Sequence, residues 1–134
     1  MREVSVSRFV RATTEELQRE LTPARIVQYE GSFDATSVEP DGDGTIVTAE
    51  KRGLSFQLRF EPQENGFYYT QVGEMGPFEE METWLTMKRK DDGSVVTVRS
   101  AVDLGIPLPG TGRFAAWKRK GELKRLLDRL ADDH

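Results

Sequence analysis

Cysteine is absent from the chain, and histidine occurs once, as the last residue, His134. The first absence excludes thiol nucleophiles, disulfides and sulfur-ligated metals, and fits a reducing, cytoplasmic setting. The second excludes histidine-based triads and histidine-rich metal sites, because a fraying terminus is a poor place for a catalytic base. No stretch approaches the ~20 apolar residues of a membrane span. The first residues, MREVSVSRFVRATTEEL, alternate polar with apolar where a signal peptide would carry an unbroken apolar run, so a soluble protein without a leader is expected. A net charge of −4 argues against a general nucleic-acid binder. That charge is uneven: residues 113–129 hold seven basic and two acidic side chains, which makes this segment +5 and the remainder −9.

What is present suits one domain over residues 1–134, a length that buries roughly two-thirds of the unfolded chain's surface. Residues 3–11 alternate with period two, as a strand does. The period then changes: Thr13 and Glu16 stand at capping-box spacing, with Leu17 and Leu21 following at i,i+4, which predicts a helix over about Thr14 to Glu20. Thr22 and Pro23 open a second short helix carrying Ile26, Val27 and Tyr29. Six strand-like runs follow, about Ser32 to Glu39, Thr45 to Lys51, Leu54 to Glu61, Phe67 to Glu74, Glu80 to Arg89 and Val95 to Leu104. The turn sequences DGDG, QENG and KDDGS separate them, so an antiparallel meander is expected. From Thr111 to about Ala131 the composition is that of a long helix. Ala116, Leu123, Leu126, Leu127 and Leu130 gather on one face and Lys118, Arg125 and Arg129 on the other, while Phe114, Trp117 and Gly121 lie off the apolar stripe.

Two motifs suggest chemistry that their residues cannot perform. GIPLPGTGRFAAW, residues 105–117, matches the glycine spacing of both phosphate-binding loops. It lacks the lysine and hydroxyl of one (Thr111 and Gly112 occupy those places) and the second strand and acidic residue of the other. The expected role is a hinge, with Pro107 and Pro109 ending the last strand. DGDG begins like a calcium loop, but Thr45 replaces the third ligand and Arg52 falls where the bidentate glutamate belongs. No metal or cofactor is implied.

Strand, two small helices, six antiparallel strands and a long C-terminal helix: this order resembles the helix-grip fold of the START-like (SRPBCC) superfamily. That superfamily includes polyketide cyclases and dehydratases, coenzyme Q-binding proteins and the birch-pollen-allergen type. RATTEELQRELTPARIVQYEGSF and VVTVRSAVDLGIPLPGTGRFAAWKRKGELKRLL carry most of the likeness, which extends to small haloarchaeal proteins, although six lysines are mild for a high-salt proteome. The resemblance implies an α+β fold with a curved seven-stranded sheet around the last helix. It also implies a cavity between them that takes a hydrophobic or amphipathic small molecule. It implies no shared catalytic residues.

The concave face of such a sheet must supply apolar side chains at alternate positions. Leu54, Phe56, Leu58 and Phe60 do so, as do Val96, Val98, Ser100 and Val102. In the strand before the last, about Glu80 to Arg89, the inward set depends on the KDDGS turn. A three-residue loop with Gly93 at positive φ pairs Lys90 with Ser94 and turns Trp84 and Glu82 inward; a two-residue Asp-Gly turn instead brings in Thr83, Leu85 and Met87. The first is preferred here. Only one of Tyr68 and Tyr69 can point inward, and Tyr69 is selected. The expected ligand-binding set is therefore Phe56, Leu58, Phe60, Tyr69, Glu82, Trp84, Val98, Ser100, Phe114 and Trp117. Three functions compete: a binding module, a cyclase or dehydratase using Glu82 as general base with a tyrosine, and a protein-interaction domain whose aromatics fill the core. The basic helix face (Lys118, Arg119, Lys124, Arg125, Arg129) either steers an anionic ligand or acidic partner, or is solvated surface.

Overall fold

Two threonines start the helical part of the molecule. In the computed structural model, which describes residues 2–73, 76–105 and 108–134, the Thr13 hydroxyl accepts from the Glu16 N–H at 3.1 Å and the Thr22 hydroxyl from the Arg25 N–H at 3.2 Å. These caps open α1 (Thr14–Glu20) and α2 (Pro23–Glu30). Gly31 ends α2 in the left-handed conformation, φ 83°, which glycine adopts without a Cβ clash.

The strands are β1 (Arg2–Val10), β2 (Asp34–Asp41), β3 (Gly44–Lys51), β4 (Leu54–Gln63), β5 (Gly66–Val72), β6 (Glu80–Lys90) and β7 (Gly93–Asp103). They form one antiparallel sheet in the order β1-β7-β6-β5-β4-β3-β2. β2 to β7 make the expected meander, and β1 adds to β7 at the far edge. Pro40 is tolerated in β2 because that strand is the other edge, where a missing N–H breaks no ladder. The connection through α1 and α2 joins the two edge strands, and α3 (Thr111–Asp132) packs on β1, β7 and α2. The curved seven-stranded sheet gripping a long terminal helix is as the sequence predicts. β2 begins two residues late, because the glycine cap of α2 occupies that stretch. Glu74 and Pro107, expected to end a strand and to stop the last one, lie outside the described residues.

On β4 the alternation holds, with Phe56, Leu58 and Phe60 buried and Ser55 and Gln57 exposed; each such large apolar side chain contributes about 1.5–3 kcal/mol. On β7, Val96, Val98, Ser100 and Val102 point into the core. The expectation for β6 is corrected. Lys90 pairs with Gly93 and Thr83 with Ser100, so Met81, Thr83, Leu85 and Met87 are buried while Trp84 and Glu82 face outward. The turn residues are Asp91 and Asp92, with Asp91 at φ 52°, a conformation aspartate tolerates. Gly93 is inside the strand for another reason: a Cβ there would stand 2.3 Å from the Val10 carbonyl oxygen of β1. On the outer face the Arg99 guanidinium lies 4.0 Å from the Trp84 ring centroid, and the Tyr68 hydroxyl donates to Glu82 at 2.8 Å. This cross-strand cluster holds Trp84 on the convex side.

Candidate functional site

Along α3 the buried positions are Ala115, Arg119, Glu122, Leu123, Leu126, Leu127 and Leu130, spaced at three and four as one face of a helix requires. Ala115 takes the place expected for Ala116. Two charged residues stand in this stripe, and α2 adds a third, since Glu30 is buried beside Ile26 and Val27. Expected on the solvated face, Arg119 is 1% exposed.

Sheet and helices together supply its partners. The Arg119 Nε–H donates to the Ser100 hydroxyl at 3.0 Å, one terminal nitrogen to Glu30 at 2.5 Å and Glu122 at 3.0 Å, and the other to Thr83 at 2.8 Å and Tyr69 at 3.3 Å. A guanidinium has five N–H donors in a fixed fork, and here every nitrogen is engaged. Tyr69 donates to Glu30, and Ser100 and Thr83 bond each other at 2.8 Å. Burial alone would lower the Arg119 pKa; the Glu30 and Glu122 carboxylates more than reverse it, so the pKa stands well above its ordinary value and the group stays charged. Burial, with the Glu30 charge, likewise pushes the Tyr69 phenol well above its usual range and keeps it neutral.

The cluster borders an apolar slot. Val27 and Glu30 of α2, Phe33, Ala49, Phe56, Leu58, Phe78 and Met81 line it, together with Arg119 and Glu122 of α3. Its volume is about 20 Å³, room for one water. Two of its lining residues, Phe33 and Phe56, meet edge to face, centroids 4.8 Å apart. Glu122 accepts from Arg119, and a carboxylate has capacity for several more hydrogen bonds.

The structure distributes the expected ligand-binding residues over four places. Phe56 and Leu58 line the slot, while Phe60, Tyr69, Val98 and Ser100 lie deeper in the core, with Tyr69 and Ser100 bonded to Arg119. Glu82 and Trp84 are on the outer face of the sheet. Phe114 and Trp117, 55% and 73% exposed, point away from the cavity, because they fall off the α3 stripe. Arg125 and Arg129 bond the last carbonyls of α2, Glu30 at 2.8 Å and Gln28 at 2.9 Å, and so join the two helices. Sequence reasoning missed Glu30, Arg119 and Glu122. The available signal was their helical register with flanking apolar residues, Glu30 four after Ile26 and Arg119 four before Leu123.

Solved structures with this arrangement are numerous. A START superfamily protein from Mycobacterium smegmatis superposes with a TM-score of 0.68 at 18% identity, covering 98% of this chain and 99% of its own. The fold is the START-like helix grip. The di-domain ARO/CYC BexL from the BE-7585A biosynthetic pathway matches with a TM-score of 0.75 at 17% identity, over 98% of this chain and 46% of that one. Ara h 8.0201 matches at 0.62 and 16% identity, over 96% and 97%. No protein-family model matches the chain, and comparison with curated proteins finds no match. Across helix-grip proteins at this identity the likeness is one of fold. Among the described residues no helix is long and apolar enough to cross a membrane, and no group of acidic or histidine side chains could hold a metal.

Proposed function

We propose that the chain is a small-molecule binding domain that takes an amphipathic ligand in the slot between sheet and α3. The ligand's apolar body lies against Ala49, Phe56, Leu58 and Met81, and its polar end meets Glu122 and Arg119. One observation carries this reading: a fully satisfied buried guanidinium and two carboxylates line the same slot as a set of apolar side chains. Stability does not require it, since well-packed apolar residues in place of a buried ion pair are often neutral or stabilising by about 1–4 kcal/mol. With both glutamates ionised the cluster carries one excess negative charge, and Glu122 keeps lone pairs to offer. The preferred ligand therefore donates hydrogen bonds or carries a positive charge at its polar end.

Entry needs room. A benzene-sized guest occupies a cavity of about 150 Å³, against the 20 Å³ present, so lining side chains such as Phe33 and Phe78 move apart on binding. The small volume also favours a second reading, a filled core whose function lies on the surface. An enzyme using Glu82 inside the cavity is not supported, because that carboxylate is on the opposite face.

Thermal unfolding with a panel of amphipathic amines, alcohols, phenols and carboxylates decides between them. A ligand at a hundred times its Kd adds about 2.7 kcal/mol, which raises the melting temperature by roughly 10 °C in a chain of this size. Amines and phenols are expected to stabilise more than carboxylates. No shift across the panel supports the filled core.

A further inference from the structure

The outer face of α3 carries a second feature that the slot does not use. Phe114, Trp117, Gly121 and Lys124 follow at spacings of three, four and three, and so form one ridge. Lys118 lies on one flank of it, Arg113 and Lys120 on the other. Leu108 just before the helix is 63% exposed, Phe114 55% and Trp117 73%, three large apolar side chains projecting at the same end. Phe114 and Trp117 touch, with centroids 6.1 Å apart. Beside Trp117 the missing side chain of Gly121 leaves a groove of about 370 Å³ walled by Lys118, Lys120 and Lys124. A neighbouring groove of about 290 Å³ brings Lys51 and Arg52 from the β3–β4 turn to the same Lys118.

The charge here is all of one sign. From residue 108 to 127 the only acid is Glu122, which is 3% exposed and faces the core. Among the described residues Arg113, Lys118, Lys120 and Lys124 have neither an ion pair nor a hydrogen-bond partner. The other arginines of α3, by contrast, are all bonded to protein groups.

We infer that this face docks on an anionic lipid bilayer, with Leu108, Phe114 and Trp117 entering the headgroup boundary and the lysines meeting lipid charge. Exposed aromatic and aliphatic side chains flanked by lysines on an amphipathic helix are the pattern of interfacial binding. A single-stranded nucleic acid would use the cations and the two rings, but Leu108 offers it no stacking face. Ser32 lines the slot and both basic grooves, and Phe33 the slot and the second groove, so the docked face places that side of the slot at the bilayer. Docking stands whether or not the slot takes a ligand.

The test is co-sedimentation of the whole chain with vesicles of phosphatidylcholine alone or mixed with phosphatidylglycerol. Emission is followed in a Trp84→Phe variant, which leaves Trp117 as the sole indole. Binding to the anionic vesicles with a blue shift of Trp117 is expected, and molar salt should abolish it by shortening the screening length to about 3 Å. Each basic side chain near such a surface is worth about fivefold. Lys118→Gln, Lys120→Gln and Lys124→Gln together should therefore weaken binding by about a hundredfold, and Trp117→Ser should weaken it with the cations intact. All these side chains are exposed, so an unchanged melting temperature confirms that each variant is folded. Equal binding to neutral and anionic vesicles overturns the inference, as does no binding to either, or an unshifted Trp117 emission. Tighter binding to a single-stranded oligonucleotide than to vesicles also overturns it and assigns the face to nucleic acid.

Discussion

Arg119→Met is expected to destabilise the fold by about 3–5 kcal/mol, the cost of leaving buried carboxylates without their counter-charge. Glu30 and Glu122 would both be stranded, with side chains only 10% and 4% exposed. Against a total stability of about 5–15 kcal/mol this is a third or more of the whole. The midpoint of urea unfolding reads it directly. Adding Glu30→Leu and Glu122→Leu to the same chain should recover most of the loss on the same curve, since the cost lies in the unpaired charges and not in the missing guanidinium. A loss below about 1 kcal/mol for the single variant, within the range of an exposed pair, means that Arg119 is solvated.

Gly66→Ala should be nearly as damaging, for a reason of space. Gly66 opens β5, the middle strand, at φ 152°, and a Cβ there would lie 1.8 Å from the Leu85 carbonyl oxygen of β6. That oxygen belongs to backbone held in the sheet, so it cannot rotate aside as a side chain would. Backbone strain of about 1–3 kcal/mol adds to an overpacking cost of similar size, for about 2–6 kcal/mol in all. Gly42→Ala is the control. Its φ is 59° but nothing lies within 4 Å of the added Cβ, so only the left-handed penalty of about 1–2 kcal/mol applies. Melting followed by circular dichroism separates the two, and equal losses would mean that β5 and β6 are not paired in this register.

The element order could be read because each signal is local. Thr13 and Thr22 cap helices with their own hydroxyls, and β4 and β7 show one uninterrupted alternation each. β6 could not be read this way, since Met81, Leu85 and Met87 on one side compete with Trp84 on the other. What decides is Arg99 and Tyr68, residues of the two neighbouring strands that hold Trp84 outside. Sequence spacing does not show such cross-strand partners. Arg119 was hidden differently. Amid Lys118, Lys120, Lys124 and Arg125 it looks like one more solvated cation, and only its register with Ala115 and Leu123 marks it as inward. Its partners Glu30, Thr83 and Ser100 come from three separate elements, which only the assembled fold brings together.

The claim that the slot lined by Arg119 receives a ligand is tested most directly by nuclear magnetic resonance of the Arg119 Nε–H. This proton is buried and bonded to Ser100, so it should exchange slowly and be observable. On titration with a compound that raises the melting temperature, that resonance should shift together with the methyl signals of Ala49, Leu58 and Met81. A compound that stabilises the protein while all four signals stay in place contradicts the account.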